Sequence, residues 1–414
     1  MELKLAVAVL LTVAFLSWAS LEASWAVSDR NILDSLSLPD GSKPVDICYG
    51  DGSIWVLDGG RKTIIKIDGS SRDVVGEFVI PAELPTRWGV VSLSEFKPEE
   101  MVWAYGKLWV AGDRLYGAIL LFLDPSSGSW GIVDVPRSIY YSYGPVVGAW
   151  CVAEGGGRIW ALVGTMMGAT LLVEVDPHAL VATGYSADLP GGRDICYGHG
   201  SIWVLYTYVK TTPYGTMEVS RLYAYDIGTG RTSLFTTRPG SFTVAFVRGG
   251  RLYIGYAPPG GESRILVFDL GKGEFLGSLR TIPGVYSPVR EILVDSRGDI
   301  WFSQPGYFGV CGGRVWPTHH DVVAMCEAGD EIWMCSTGAG AEIMIVDLGR
   351  GLARLAVRLP SYVLGFPSTA FIPMASGALS VAIYALVDLV LGRVRYKKWL
   401  RERRAKLGRA GMPE

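Results

Sequence analysis

Acidic side chains recur at one place in the pattern of this chain. Asp46, Glu100 and Asp194 each stand nine residues before a tryptophan, at Trp55, Trp109 and Trp203. Carboxylates at one repeat offset are expected to edge a shared channel, an electronegative funnel suited to a cation or an amine. Pairing with Lys or Arg is the alternative use of the same groups. A second set, His319 and His320 followed by Asp321, joins two imidazoles to a carboxylate, where imidazole can act as base or ligand. No further acid or histidine stands at a readable spacing from it. A third set is aromatic and cationic: Arg87, Trp88, Tyr140, Tyr141, Tyr143, Tyr206, Tyr286, Arg290 and Tyr307. Such side chains offer large, partly polar contact surface to a glycan or a protein, or pack against one another. Asp68, Asp124, Asp176, Asp226, Asp269 and Asp347 each close an apolar run. Asp bonds its own downstream backbone, so these are read as turn formers rather than a metal ring. Neither a metal ligand set nor a cofactor is expected.

The elements that must position these groups follow from a repeat. DICYGDGSIWVLDGG, residues 46–60, returns as DICYGHGSIWVL at 194–205. A Gly-x-[Ile/Leu]-[Trp/Tyr] core stands at Gly52–Trp55, Gly106–Trp109, Gly157–Trp160, Gly200–Trp203, Gly250–Tyr253 and Gly298–Trp301, and in weaker form at Asp330–Trp333. Two β-rich runs split by a Gly-containing turn predict a hairpin. A third run ends in Asp and a fourth in Pro. Four strands per unit, with 32 to 54 residues between successive motif aromatics, predict a blade of a propeller. The expected fold is all-β, a seven-bladed β-propeller of four-stranded antiparallel blades over residues 27–361. The sixth unit, WFSQPGYFGVCGGRVWP, lacks the Asp-ended run. NILDSLSLP, near the start, is an orphan fourth strand that could close the ring in the last unit. No helix-length amphipathic pattern precedes the C-terminal apolar segment, which argues against α/β folds. The longer connections, 81–99, 136–150, 206–219, 256–263 and 304–313, are expected on one face of the disc, and that face is read as functional.

The G-x-I-W hairpin followed by an Asp-ended strand resembles the propeller superfamily that contains streptogramin (virginiamycin B) lyase, NHL repeats and gluconolactonase-like lactonases. The resemblance covers roughly Asp46 to Pro360 and implies a fold more directly than a chemistry. It implies, as the alternative to a binding module, a lyase-like or lactonase-like enzyme at the channel mouth, with His319, His320 and acids of adjoining blades. The chain has no Glu-x-His motif, and Asn31, its one asparagine, precedes the first hairpin.

Residues 1–26 have Lys4, an apolar run from Leu5 to Phe15 and small residues at Ser24 and Ala26, the order of a secretory signal. Residues 362–392 are expected to be a linker and a transmembrane helix, because 369–391 is apolar apart from Asp388. The tail, 393–414, carries Arg393, Arg395, Lys397, Lys398, Arg401, Arg403, Arg404, Lys406 and Arg409, which places it in the cytoplasm and the repeats outside the cell. With 38 basic against 40 acidic residues, no global field favours nucleic acid. One Asn and one Gln in 414 residues suggest a thermophilic source. In an exported domain the six cysteines allow disulfides between Cys48 and Cys326, Cys151 and Cys196, and Cys311 and Cys335, or else small buried thiols.

Overall fold

Each repeated motif must reverse the chain tightly, and the backbone shows how. In the computed structural model, five of the hairpins turn through two residues of positive φ: Asp51–Gly52, Tyr105–Gly106, Gly156–Gly157, His199–Gly200 and Gly249–Gly250. Positive φ at both central residues is the type I′ turn, whose twist matches that of paired strands. The structure describes residues 32–348 apart from 88, 187–188, 190, 214, 319–320 and 338–340, together with 362–363 and 366–367. The expected signal sequence, membrane span and basic tail, and the histidine pair, lie outside the described residues. Among the described residues no helix is long and apolar enough to cross a membrane. The chain divides into two units, Asn31–Leu352 and the remainder. In the second, only the hairpin of Tyr362–Val363 with Phe366–Pro367 is described.

The first unit is nearly all β. Strand β1 (Ile32–Ser37) opens it, and β2 (Pro44–Gly50), β3 (Ser53–Asp58), β4 (Thr63–Asp68) and β5 (Val74–Val79) form an antiparallel sheet in that order. A small hairpin follows, β6 (Glu83–Thr86) with β7 (Gly89–Ser92). Next come β8 (Lys97–Ala104), β9 (Lys107–Asp113), β10 (Ala118–Asp124) and β11 (Ser129–Asp134), and after helix α1 (Arg137–Tyr143) come β12 (Val146–Gly155), β13 (Arg158–Thr165), β14 (Thr170–Asp176) and β15 (Val181–Ser186). Strands β16 (Asp194–Gly198), β17 (Ser201–Thr212), β18 (Gly215–Asp226) and β19 (Arg231–Pro239) make a further sheet. So do β20 (Ser241–Arg248), β21 (Arg251–Ala257), β22 (Arg264–Asp269) and β23 (Glu274–Arg280), and then β24 (Glu291–Val294), β25 (Ile300–Gln304), β26 (Tyr307–Val310) and β27 (Val315–Pro317). The last sheet joins β28 (Asp321–Ala328), β29 (Glu331–Thr337) and β30 (Glu342–Asp347) to β1, in the order β1-β30-β29-β28. The N-terminal strand therefore completes the C-terminal sheet, as NILDSLSLP leads one to expect.

Two features depart from the sequence reading. The β8–β11 and β12–β15 strands are not separate sheets, because β9 pairs with β12 at Asp113↔Gly148 and Gly112↔Ala149. Glycines permit the approach: a Cβ on Gly148 would lie 2.6 Å from the Gly112 carbonyl oxygen. A seven-residue helix, α1, also precedes β12; it buries Ile139 and ends at Gly144 with φ 76°. One apolar residue is too short a signal for helical periodicity to reveal.

The apolar residues gather in seven clusters, six shared by two successive sheets and one lying between the β8–β11 and β12–β15 halves of the eight-stranded sheet. The motif aromatics Trp55, Trp109, Trp160, Trp203, Tyr253, Trp301 and Trp333 are all buried in them. In four hairpins the indole N–H donates to the carbonyl five residues earlier: Trp55 to Gly50, Trp109 to Ala104, Trp160 to Gly155 and Trp203 to Gly198, at 3.0–3.1 Å. The same glycines admit the neighbouring sheet. A Cβ on Gly50 would lie 2.0 Å from Trp103 Cγ, one on Gly155 1.9 Å from Tyr197 Cγ, and one on Gly198 2.4 Å from Val247 Cγ1. The Asp residues that close the third strands form turns as expected. Asp68 accepts from Ser70 and Ser71 N–H, Asp176 from His178 and Ala179, Asp226 from Thr229, and Asp269 from Lys272.

All six cysteines are free, so the expected disulfides do not form. The proposed partners sit in different inter-sheet cores. Cys48 packs with β2–β4 against β8–β10, whereas Cys326 packs on the other side of β2–β4, beside Cys335. Cys151 and Cys196 likewise belong to successive cores, as do Cys311 and Cys335 to separate ones.

Two substitutions test this packing by urea denaturation of the full chain. Gly155→Ala forces a methyl into the Tyr197 ring and should cost about 1–3 kcal/mol, as overpacking does. Trp109→Phe keeps an aromatic ring but leaves the Ala104 carbonyl without its donor, and should cost about 1–3 kcal/mol. An unchanged midpoint in Gly155→Ala would show that the sheets do not meet at that glycine.

Candidate functional site

The candidate site begins where the inner strands β2, β8, β12 and β16 start. Four of their residues occupy the same offset, nine before the motif tryptophan: Asp46, Glu100, Cys151 and Asp194. Strands β2, β8, β12 and β20 are bulged near this point, so their ladders shift register, whereas β16 pairs with β17 without a shift. Bulging frees N–H groups from the ladder and re-aims side chains. The carboxylates take up those donors across the gap between sheets. Asp46 Oδ2 accepts from Met101 N–H at 2.6 Å, Glu100 Oε2 from Val152 N–H at 3.0 Å, and Asp194 Oδ2 from Ala245 N–H at 2.6 Å. Cys151 continues the series by donating its S–H to the Arg193 carbonyl at 3.2 Å.

The three expected acids therefore come together, and Glu291 joins them from the start of β24. Burial pushes Asp46 up to about 7 and Asp194 up to about 6, against the pull of the N–H groups that bond each carboxylate. Arg193 also holds Asp194 down. Glu100 and Glu291 are raised well above the ordinary range, first by burial and then by the negative charges of Asp46 and Asp194. The Cys151 thiol is raised by burial and by Glu100 and Asp194. Glu100, Cys151 and Asp194 bring one donor atom each to within 4.8 Å of one another, the one such group among the described residues. This is the set a divalent cation would use, and it would bind by displacing protons. The sequence reading left Cys151 either a disulfide with Cys196 or a small buried thiol and foresaw no metal set, although its offset already matched that of Asp46, Glu100 and Asp194. Glu291 stands ten rather than nine residues before Trp301 and escapes the pattern.

Beside these acids lies a cleft of about 410 Å³, lined by Trp150, Arg193, Tyr206, Tyr208 and Glu218 among others. Strands β17 and β18 make one wall, because their ladder runs on from Leu205↔Leu222 to Thr212↔Gly215. Tyr206 and Tyr208, two apart on β17, stack at 5.4 Å with 15° between their planes. The Arg221 guanidinium lies 4.9 Å from the Tyr208 ring centre. Gly191 supports Tyr206 from the other wall, since a Cβ there would come within 2.9 Å of its ring. Of the residues named above as expected ligand contacts, Tyr206 lines this cleft.

The other expected residues are dispersed. Arg87 lies against Asp134, its Nε 3.5 Å from Oδ2, and Trp88 falls outside the described residues. Tyr140 and Tyr141 stand exposed on α1, edge to face at 5.9 Å, while Tyr143 meets Tyr185 at 5.7 Å. Tyr286 is exposed, and Tyr307 packs against the core between the β20 and β24 sheets. Arg290 and Asp321 are paired at 2.8 Å, and Asp321 also accepts from Gly306 N–H at 3.0 Å. The carboxylate expected to assist His319 and His320 thus serves to join β28 to the neighbouring loops.

No family model matches the chain, and no curated protein matches it. Solved structures do share its backbone course. Hydrazine synthase from Kuenenia stuttgartiensis aligns with TM-score 0.55 and 9% identity over 75% of this chain and 96% of that one. A chain of the mitotic checkpoint complex aligns at 0.53 and 9% over 77% and 91%. The extracellular domain of a hybrid two-component system from B. thetaiotaomicron aligns at 0.52 and 12% over 76% and 40%. At these identities the likeness establishes a propeller-like fold and nothing of activity.

The half-buried acids make stability depend on pH. Asp46 and Asp194 have an ordinary value of 3.8 and folded values of about 7 and about 6, so between these limits the folded chain holds protons the unfolded chain has lost. Their contribution is full below the unfolded value and is lost as pH rises through the folded value. The urea midpoint should therefore fall as pH rises from about 5 to about 7.5. Asp46→Asn, which keeps an acceptor for Met101 N–H, should flatten that slope. An equally steep slope in Asp46→Asn would remove Asp46 as its source.

Proposed function

We propose that the chain is a seven-bladed β-propeller held on the outer face of a cell membrane, where it binds a ligand on the face bearing the long loops. The blade count draws support from the seven apolar clusters, each between successive groups of strands. It draws further support from the circle of inner strands β2, β8, β12, β16, β20, β24 and β28, each in contact with the next. On this reading the joined β8–β15 sheet is two blades fused at a pair of glycines. Anchoring draws on the sequence: an apolar stretch at 369–391 followed by a basic tail. An extracellular domain with the same fold is compatible with an external binding role.

The observation that carries the binding reading is the cleft of about 410 Å³ beside four half-buried carboxyl groups. A concave site with aromatic walls and a few convergent polar groups is the usual form of a small-ligand site. A second reading, a lyase-type or lactonase-type enzyme, is favoured by the same carboxyls, because acids that titrate near neutrality suit general acid–base work.

A thermal-shift panel on the detergent-solubilised full chain, covering saccharides, peptides, nucleosides, polyamines and divalent cations, tests the reading. At least one class should raise the Tm, and Tyr208→Ala should abolish the rise. Lys272→Ala, in the turn between β22 and β23 at the other end of the strands, should leave it intact. A panel without any stabilising class would overturn the binding role. Turnover of lactone substrates, lost in Asp194→Asn, would replace it with the enzymatic reading.

A further inference from the structure

We infer that the cleft between Trp150 and the β17–β18 ribbon is a subsite for a non-acidic saccharide, one or two sugar units of neutral or amine-bearing hexose. The inference rests on the binding role proposed above and names the ligand class of that site. Three observations carry it.

The first is shape and lining. A volume of about 410 Å³ lies near the lower end of the range for small-molecule sites. A sugar ring presents apolar C–H faces and polar hydroxyl edges, and the cleft offers both kinds of partner. Trp150 and Tyr206 are half-buried, leaving part of each ring open to the cleft. Tyr206 is fixed in place by Gly191 on one side and Tyr208 on the other. Little side-chain entropy remains to be lost on binding, which favours a rigid aromatic contact.

The second is the state of the charged residues. Arg193 and Glu218 are exposed, and neither forms an ion pair among the described residues. A guanidinium supplies only donors and a carboxylate only acceptors. A pair of such groups at one cleft fits hydroxyls, each of which both gives and accepts a hydrogen bond. Charge-assisted bonds of this kind are the stronger ones.

The third is the field. Asp194 directly follows Arg193, and Cys151 directly follows Trp150, so the cleft borders Asp46, Glu100, Asp194 and Glu291 through its own backbone. With Glu218, these acids outnumber Arg193. Carboxyl groups gathered beside the cleft disfavour uronic acids and other anionic sugars there. A neutral hexose is indifferent to that field, and an amino sugar is drawn by it.

The test uses the detergent-solubilised full chain and isothermal titration, with tryptophan fluorescence as a second readout through Trp150. The probes are glucose, mannose, glucosamine, N-acetylglucosamine and glucuronic acid at matched ionic strength. At least one of the first four should bind, and glucuronic acid should bind at least tenfold more weakly. Glu218→Gln and Arg193→Gln should each weaken that sugar about tenfold, the loss of one charge-assisted hydrogen bond, and Glu218→Gln, at an exposed position, should leave the Tm unchanged. The inference fails if no sugar binds wild type at the highest soluble concentration. It also fails if glucuronic acid binds as well as glucose, or if both variants bind undiminished. Wild-type selectivity decides the matter even where a variant unfolds. Failure with every sugar, alongside a peptide or polyamine that stabilises the chain through Tyr208, would sink the saccharide assignment and leave the binding role standing. Failure of every ligand class would sink both.

Discussion

The structure depends on one recurring contact, the burial of an indole between two sheets with its N–H satisfied inside its own hairpin. An indole brings more apolar surface to a core than any other side chain, but it also brings a donor that must be paired once water is gone. In four hairpins the pair is the carbonyl five residues earlier, so the tryptophan closes the hairpin that presents it. Elsewhere the solution changes while the need persists. Trp301 donates to Asp295 Oδ2 at 2.9 Å and Trp333 to Glu331 Oε2 at 3.1 Å. Tyr253 occupies the position with a phenol instead. Because each ring belongs to one hairpin and packs against the next, the hairpins cannot be stacked independently of one another.

The inner strands face a different problem. Near the axis they crowd together, and their bulges leave N–H groups without ladder partners. Asp46, Glu100 and Asp194 meet that need from the preceding inner strand, so the same residues join neighbouring groups of strands. Two opposed effects act on each carboxyl. Hydrogen bonds from N–H groups favour the charged form, while burial and the other acids favour the neutral one. For Asp46 and Asp194 burial dominates, leaving carboxyls that titrate near neutrality. The ring thus carries a charge that varies over the physiological range, although its geometry is structural.

The sequence exposed the hairpins because their signal is local. A Gly turn, a β-rich run and an aromatic at fixed offset lie within a dozen residues, and closure through NILDSLSLP followed from counting strands. The offset of Asp46, Glu100 and Asp194 also announced their convergence. What stayed hidden depended on approach between distant segments. The fusion of β9 to β12 rests on Gly112 and Gly148, which read as ordinary strand glycines until brought together. The cysteine spacings located the thiols on inner strands but not on which side of each sheet they pack, and that side decides whether two sulfurs can meet. The cleft is built by the length of β17 and β18, where Tyr208 and Glu218 gained a role only because the ladder runs on past Leu205.

Adjacency in the strand ties the cleft to the ring. At the β12 bulge Trp150 lines the cleft, while Cys151 lies with Glu100 and Asp194. Arg193 and Asp194 are divided in the same way at the start of β16. Their backbone is held from both sides: Cys151 bonds the Arg193 carbonyl, and the Arg193 N–H donates to the Leu205 carbonyl at 2.7 Å. Arg193 is shared between the two: it lines the cleft, and its charge holds the Asp194 carboxyl down.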